Sequence, residues 1–312
     1  MIKIKYTIII VLLIVLRKDN VQAQGCSDAG VCSISPSHSI ADDSTTIDRG
    51  ATSSVSLTTS LGMGEQGVSI FQIIPEFNIG ISKKFSLQAR LPFVKINGNL
   101  DDVTGIGDVL MGCSFIAYKK PSTNTVIYGG VKIPLSDANE KEKNRSLPMP
   151  YQVGIGTLDF IVGISHSFYN WQTTVGYQHV LDNGNKNEFT RSLWAENKDA
   201  QKYFESKGFI RGNDASLNVE YNFKMKKVNI APGVLAIYRI NKDQILDSSN
   251  VHYDIKGSDG ITLNITGDAS YVIANKSKLR LQFGFPVIVR QVRADGLTRS
   301  FVINLGYYIN LN

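Results

Sequence analysis

The feature that most constrains this chain is a strict two-residue alternation of large apolar side chains over long segments. In the segment 216–225, every second residue is large and apolar: Leu217, Val219, Tyr221, Phe223 and Met225. The residues between them are small, polar or charged, and segments 279–290 and 300–311 largely repeat the pattern. Because successive side chains of a β-strand point to opposite faces, this pattern predicts strands with one apolar and one polar face.

Twelve segments of this kind are predicted after residue 50. Most are about 10 to 14 residues long, and a tilted strand needs about 9–11 residues to cross the hydrocarbon core of a bilayer. The predicted strands are 51–62, 68–82, 84–96, 107–119, 124–134, 153–167, 170–181, 213–225, 227–240, 261–274, 278–291 and 298–311. A soluble β-sandwich, the main alternative, has shorter strands and no charge on its buried face. The sequence therefore predicts an all-β fold, a transmembrane antiparallel β-barrel of about 12 strands with an apolar exterior and a polar lumen.

The connections between these strands alternate in length. Short turns are predicted at 82–84, 119–123, 168–170, 225–227 and 275–278. Longer polar loops are predicted at 97–106, 135–152, 182–212 and 241–260, and the connections 62–67 and 291–297 on the same side are short. Outer-membrane barrels have tight periplasmic turns and longer extracellular loops. The alternation therefore predicts a location in the outer membrane of a Gram-negative bacterium, with the short turns in the periplasm.

The N-terminal residues are predicted to direct export. Residues 1–23 combine Lys3 and Lys5 with an apolar run at 8–16 and resemble a secretory signal peptide cleaved before Gln24. A single N-terminal helical anchor is the alternative. Cleavage would lower the formal net charge from +6 to +3, leaving 29 basic and 26 acidic residues. Because no basic stripe remains, nucleic acid is not an expected partner.

The segment 24–50 is polar and has no strand pattern, so it precedes the predicted barrel at 51–312. It is either a periplasmic hatch in the barrel mouth or a disordered leader, which its composition favours. Cys26 and Cys32 are close enough in sequence to form a disulfide in an oxidising compartment, and a lipidated Cys26 is the alternative. Cys113 falls in a strand pattern and is interpreted as a small apolar residue.

The polar strand faces are the candidate functional surface. The lumen-lining candidates on the assigned register are Gln88, Arg90, Asp108, Asn218, Glu220, Lys224, Arg239, Asp268, Arg280 and Arg290. Charges inside a membrane-spanning element require water or an opposite charge. Two interpretations stay open: ion pairs that fill a narrow barrel, or a lining that selects solutes along a path.

Catalytic and cofactor chemistry find no support in the sequence. Metalloprotease, lipase, Cys-x-x-Cys and P-loop motifs are absent, so neither a metal nor another cofactor is expected. The glycines on either side of Ile106 precede a strand pattern, which excludes a phosphate loop. His179 lies near the outer end of a predicted strand, as a lipase histidine would, but no serine lies beside it. We therefore expect no enzymatic activity.

Three short segments, in this order, resemble a known family. They are Phe-Ser-Leu-Gln-Ala-Arg-Leu-Pro-Phe-Val at 85–94, Thr-Gly-Ile-Gly-Asp-Val at 104–109 and Gly-Val-Lys-Ile-Pro at 130–134. They are similar to the family named for the meta-pathway of phenol degradation, outer-membrane transporters distantly similar to long-chain fatty-acid transporter barrels. The resemblance covers roughly residues 70–312. It implies passive uptake of small solutes, hydrophobic or aromatic ones among them, and assigns no binding residue.

The sequence thus predicts a channel for passive passage of small solutes, with outer-membrane lipid and the solute as partners and an open oligomeric state. The alternative is a non-conducting surface barrel whose long loops bind a partner or ligand. The loop 182–212 favours it, because aromatic residues among charges are typical of contact surfaces. These aromatic residues are Phe189, Trp194, Tyr203, Phe204 and Phe209. The same loop would also suit a segment that folds back and constricts the pore.

Overall fold

The computed structural model describes Ala23–Gln24, residues 53–296 and residues 298–311. The strands in these ranges are β1 Ala23–Gln24, β2 Ser54–Gly64, β3 Ser69–Gly80, β4 Phe85–Arg90, β5 Phe93–Asn97, β6 Asp102–Ile106, β7 Val109–Lys120, β8 Thr123–Ile133, β9 Lys141–Glu142, β10 Arg145–Ser146, β11 Thr157–Phe168, β12 Trp171–Asn183, β13 Asp214–Tyr221, β14 Phe223–Lys224, β15 Val228–Arg239, β16 Gln244–Leu246, β17 His252–Asp254, β18 Gly260–Ala274, β19 Ser277–Ile288 and β20 Thr298–Asn310. Short 3₁₀ turns lie at Glu65–Gly67, Met149–Tyr151, Arg191–Trp194 and Ala200–Lys202. Within the described ranges, no helix is both long and apolar enough to cross a membrane.

Twelve wall positions form a closed antiparallel barrel. Starting from β2, the order around the wall is β3, β4 with β5, β6 with β7, β8, β11, β12, β13 with β14, β15, β18, β19 and β20. The last strand returns to the first, where Ser54 pairs with Asn310 and Met63 with Phe301. Closure satisfies the backbone groups that an open sheet edge would expose to lipid. The predicted transmembrane-type barrel of about 12 strands is therefore confirmed.

The two faces of the wall strands differ as the alternation predicts. Along β2 the inward residues are small and hydroxylated, and Ser56, Thr58 and Ser60 are buried. Their neighbours Leu57 and Leu61 point outward and are 52% and 45% exposed. Large apolar side chains are exposed on the outer face of the other long wall strands as well. Because such a surface all around a closed barrel needs a hydrocarbon solvent, the wall spans a membrane.

Two neighbouring wall positions are each interrupted once. Leu91 and Pro92 separate β4 from β5, and Gly107 and Asp108 separate β6 from β7. Proline has no N–H to give to the ladder. The Gly107 amide instead donates to the Pro92 carbonyl at 2.8 Å. A Cβ on Gly107 would lie 2.9 Å from Pro92 Cγ, so glycine allows the two interrupted strands to stay in contact.

The prediction of a loop at 97–106 is wrong in its second half. β5 and β6 form a hairpin in which Phe93 pairs with Ile106 and Asn97 with Asp102. Within β6 only Val103 is buried, so the apolar alternation is too short to predict a strand. Two more hairpins, β9–β10 and β16–β17, lie inside predicted loops.

The connections opposite the short turns, most of them long, fold into a cap at one end of the barrel, called the dome here. It comprises residues 98–101, 134–156, 184–213, 240–259 and 289–296. One buried apolar cluster joins it to the ends of the wall strands: Val68, Ile70, Val94, Ile96, Leu100, Val103, Leu147, Tyr151, Val153, Phe189, Trp194, Ala200 and Tyr203. A second cluster lies mainly in the loops: Ala138, Met149, Ile155, Phe209, Ile245, Ile255 and Ala294. By the loop-length rule the dome is extracellular and the short turns are periplasmic.

Several predictions fall outside the residues that the structure describes. Of the signal peptide at 1–23 and the segment 24–50, only β1 is described, and its two residues pair with the first two residues of β20. Cys26 and Cys32 lie outside the described ranges, so their disulfide and the lipidation of Cys26 stay predictions. Cys113 in β7 is a half-buried free thiol.

Candidate functional site: the barrel interior

The aromatic residues of the longest loop lie in the core of the dome. At most 1% of the surface is exposed for Phe189, Trp194, Tyr203 and Phe209. The Trp194 indole N–H donates to the Ser146 carbonyl at 2.9 Å, and the hydroxyls of Tyr151 and Tyr203 lie 3.2 Å apart. Burial raises the pKa of both tyrosines, which keeps their hydroxyls protonated. The fifth aromatic residue of this loop, Phe204, is half-buried against the second cluster. Because these side chains pack within the dome, they do not form the exposed aromatic contact surface that would favour a partner-binding loop.

A continuous chain of buried ion pairs, called the charge ladder here, runs beneath the dome. It begins at Lys132 of β8, whose Nζ lies 3.4 Å from Asp108 Oδ2 and 2.9 Å from Asp159 Oδ2. Arg211 of the longest loop continues it. Its Nη1 lies 3.3 Å from Asp159 Oδ2 and its Nη2 lies 2.5 Å from Asp214 Oδ2. The ladder therefore crosses neighbouring wall positions from β7 to β13.

The second half of the ladder is centred on Arg239, at the end of β15. Its Nε lies 2.6 Å from Asp214 Oδ1 and its Nη2 lies 3.0 Å from Asp295 Oδ2, while Nη1 pairs with Asp243. Arg290 shares the two loop carboxylates, at 2.8 Å from Asp295 Oδ2 and 3.5 Å from Asp243 Oδ2. Burial opposes ionisation of Asp295, but Arg290 and Arg239 outweigh burial and hold its pKa below the usual range. The carboxylate of Asp295 is therefore ionised at neutral pH.

The ladder attaches the dome to the barrel wall. Wall strands contribute Lys132, Asp159, Asp214 and Arg239. Three different dome connections contribute Arg211, Asp243 and the pair Arg290 and Asp295. Removing one partner of a buried pair leaves an uncompensated charge and costs about 3–5 kcal/mol. The loops are therefore held over the mouth by charge as well as by their apolar clusters.

Below the ladder, the interior from the middle of the wall to the short turns is polar, and ion pairs connect fewer of its groups. Arg90 Nε lies 3.2 Å from Glu76 Oε2, and Arg280 Nε lies 2.5 Å from Asp268 Oδ2. Within the described residues, several buried inward atoms here have no hydrogen-bond partner: Thr58 Oγ1, Ser60 Oγ, Thr266 Oγ1, Asn304 Oδ1 and Arg280 Nη1. Each such atom costs about 1–3 kcal/mol unless water satisfies it. Enclosed polar surfaces of this kind bind water, which favours a hydrated lumen in this half.

The structure distributes the sequence-predicted lumen residues over three places. In the charge ladder lie Asp108, Arg239 and Arg290. In the interior below the ladder lie Gln88, Arg90, Asn218, Glu220, Asp268 and Arg280. Within this set Arg280 pairs with Asp268, and the Asn218 side-chain amide donates to Glu220 at 2.9 Å. Lys224 is exposed at the short-turn rim.

Sequence reasoning missed more than half of the ladder. Lys132, Asp159 and Asp214 lie on the inward phase of predicted strands, so the alternation that located Arg239 could have located them too. Arg211 and Asp243 come from loops, where no periodicity marks an inward side chain.

His179, the histidine considered for catalysis, lies on the outer surface of β12. Its Nδ1 lies 3.1 Å from Asn213 Oδ1, and its ring stacks on Tyr177. Across the sheet it pairs with Phe160, and two residues along its own strand is Leu181. None of these neighbouring positions holds a serine, so within the described residues His179 has no serine beside it.

Comparison with known proteins identifies the fold through structural similarity and not through sequence similarity. No family model matches the chain, and no curated protein matches its sequence. The COG4313 outer membrane channel from Pseudomonas putida F1 has a similar structure, with a TM-score of 0.58 and 14% identity over 86% of this chain and 98% of that channel. At this identity the likeness shows the fold alone. This fold, the apolar outer face and the closed wall are those of an outer-membrane barrel. The chain is a β-barrel of the Gram-negative outer membrane.

Two further barrels are more distant. The NanC porin has a TM-score of 0.45 and 7% identity over 82% of this chain and 100% of that porin. The CymD monoaromatic hydrocarbon channel has a TM-score of 0.43 and 12% identity over 94% of this chain and 99% of that channel. The resemblance to the phenol-degradation family stays a prediction.

Proposed function

We propose that this barrel is a channel for passive passage of small solutes across the outer membrane. The observation that carries the proposal is the set of partnerless inward polar atoms on β2, β18, β19 and β20. These four strands are adjacent in the wall, so the atoms form one surface. A continuous polar surface inside a closed barrel favours a water-filled path. The proposal involves no catalytic residue and no cofactor.

The dome is the constriction in this proposal. Its apolar clusters and the charge ladder lie across the long-loop end, so a solute must pass between or beside packed loops. This restricts passage to small molecules. The alternative, a non-conducting barrel whose loops bind a partner, has less support because four of the five aromatic residues of the longest loop are buried.

The interior chemistry favours solutes that combine an apolar body with a polar or anionic group. Leu110, Tyr128 and Ile161 form an apolar cluster on the inward face of three adjacent wall positions. Elsewhere on the inward face, Arg280 has a buried Nη1 that makes no hydrogen bond within the described part of the chain. A small aromatic carboxylate or phenol would match both surfaces, and it belongs to the solute class that the family resemblance implies.

Solute flux into proteoliposomes tests the proposal. With refolded protein lacking residues 1–23, we expect small aromatic carboxylates to permeate faster than organic cations of similar size. Arg280→Gln should reduce this preference because it removes a lumen cation and leaves Asp268 without its positive partner. Lys242→Gln, on the exposed surface of the dome, changes the net charge equally and should leave the preference intact.

Two outcomes count against the proposal. Vesicles with inserted, folded protein that are no more permeable than empty vesicles would overturn the channel. A preference that Arg280→Gln leaves unchanged would overturn the role of Arg280 and retain passive passage.

A further inference from the structure

The short-turn end of the barrel carries charge of one sign. Exposed lysines lie in four of its five turns, and the six used here are called the lysine collar: Lys84, Lys119, Lys120, Lys226, Lys227 and Lys276. Aspartate and glutamate are absent from the sequence of these turns, at 81–84, 119–123, 168–171, 222–228 and 274–277. The rim of the barrel that faces the periplasm is therefore strongly basic.

The dome end differs from the short-turn end, because its surface carries charges of both signs. There, exposed lysines stand beside carboxylates: Lys141 Nζ lies 3.2 Å from Glu188 Oε2, and Lys202 Nζ lies 2.6 Å from Asp199 Oδ1. Mixed charges of this kind neutralise each other locally. The collar has no acidic residue in its own turns to do so, and its positive potential extends toward whatever surrounds the rim.

Exposed aromatic side chains fix the level of the collar relative to the membrane. Tyr169 and Trp171 lie in the turn that has no lysine, Phe223 lies in the next turn along the wall, and the three are 68%, 53% and 52% exposed. Lys120 Nζ lies 5.3 Å from the ring centroid of Tyr118. In membrane barrels, aromatic girdles mark the interface between hydrocarbon and headgroups. Lysines one turn beyond the girdle therefore reach the phosphate groups of the periplasmic leaflet.

We propose that the lysine collar binds anionic phospholipid headgroups of the periplasmic leaflet. Each lysine near an anionic leaflet gains a favourable interaction that falls off within a Debye length. A zwitterionic headgroup carries its own ammonium group, which competes with lysine for the phosphate. The collar therefore prefers lipids with net negative charge. This binding site lies outside the lumen and does not depend on passage of solutes.

The chain contains a reporter for this site. It has two tryptophans, of which Trp194 is buried in the dome and Trp171 is exposed to lipid at the short-turn end. Around the wall, the turn that contains Trp171 lies between the turn with Lys120 and the turn with Lys226. The emission of Trp171 therefore senses which lipid occupies the rim between two collar turns.

Quenching by brominated lipids measures the preference. Refolded protein is placed in phosphatidylcholine vesicles that contain either brominated phosphatidylglycerol or brominated phosphatidylcholine at equal mole fraction. We expect an association constant about threefold or more in favour of phosphatidylglycerol, decreasing at high salt. Trp171→Phe should remove the quenchable emission, because Trp194 lies away from lipid.

Two variants that remove the same number of lysines test whether the lysine collar causes the preference for phosphatidylglycerol. Replacing Lys119, Lys120, Lys226 and Lys227 with Gln should bring the relative association constant close to one. The control replaces four exposed dome lysines with Gln, namely Lys143, Lys186, Lys198 and Lys242. It removes the same charge and should keep the preference for phosphatidylglycerol.

Equal quenching by the two brominated lipids would overturn the proposal, and so would a preference that survives in the collar variant. If the collar variant changes only the anion selectivity of solute flux, the collar acts on solutes leaving the pore, and lipid binding is wrong. A failure of solute flux in the wild type would leave the lipid measurement interpretable, because it needs only folded, inserted protein.

Discussion

The interior of the barrel has two levels, the charge ladder beneath the dome and the polar interior below it, and they differ in how their buried polar groups are satisfied. Beneath the dome, the buried charges of the ladder meet opposite charges, and loop residues supply several of the partners. Below the ladder, from the middle of the wall to the short turns, Ser60 Oγ, Asn304 Oδ1 and Arg280 Nη1 make no hydrogen bond within the described residues. Three buried atoms of the ladder also make no hydrogen bond within the described residues, but each belongs to a side chain that is held by an opposite charge: Asp108 Oδ1, Asp159 Oδ1 and Arg211 Nε. A network of ion pairs in a low-dielectric interior is rigid, whereas uncharged groups without a partner depend on water. The comparison indicates a rigid lid above a hydrated lumen.

The largest expected effect comes from breaking the ladder at its centre. Arg239→Met leaves Asp214, Asp243 and Asp295 short of a positive partner, so we expect a loss of about 3–5 kcal/mol in the free energy of unfolding. Urea unfolding in lipid vesicles measures it, and the emission of Trp194 reports on the dome. Arg280→Met is the control in the lower level, where water can solvate Asp268. Equal losses in the two variants would contradict the difference between the levels.

A smaller effect is expected from crowding the first ion pair of the ladder. A Cβ on Gly154 would lie 2.2 Å from Asp108 Oδ1, so Gly154→Ala must displace the carboxylate that contacts Lys132. We expect a loss of about 1–3 kcal/mol in the free energy of unfolding. Gly284→Ala on the inward face of β19 is the matched control, because the nearest atom to its added Cβ would lie 3.9 Å away. Similar losses for both alanines would show that steric tightness is not specific to the dome level.

The smallest expected changes in the free energy of unfolding come from replacing two buried serines with alanine. Ser165 Oγ accepts a hydrogen bond from Thr174 Oγ1 at 3.0 Å, and Ser165→Ala should cost about 1 kcal/mol. Ser60 Oγ has no partner among the described residues, and Ser60→Ala should change stability by less than about 0.5 kcal/mol. Both values come from urea unfolding under identical conditions. A larger loss at Ser60 would mean that its hydroxyl makes a specific contact instead of facing exchangeable water.

The fold follows from the sequence to a large extent because a barrel wall has one local rule. Outward residues such as Leu57 and Leu61 must be apolar, and the two-residue alternation of apolar side chains in the sequence predicts them directly. The rule fails where the strand is short or interrupted, as in β6 and at Pro92. Proline marks that interruption in the sequence, but only the close approach of Gly107 shows that the wall stays continuous across it.

The candidate site was less predictable, for a physical reason. Alternation predicts that Arg239 points inward, but its partner Asp295 is 56 residues away in a loop without periodicity. The composition of the longest loop predicts a contact surface, since composition alone does not distinguish an exposed loop from one whose aromatic residues form a core. Trp194 is the clearest case, because its indole N–H is satisfied by Ser146, 48 residues away.

Single-channel recording in a planar lipid bilayer tests the hydrated lumen most directly. With refolded protein lacking residues 1–23, we predict discrete current steps of small amplitude, because the dome narrows an otherwise hydrated path. Arg239→Met should increase the amplitude or produce fluctuations, since it loosens the dome. A silent bilayer, with folded protein shown to be inserted and with the Arg239 variant equally silent, would contradict the hydrated lumen and leave a filled barrel.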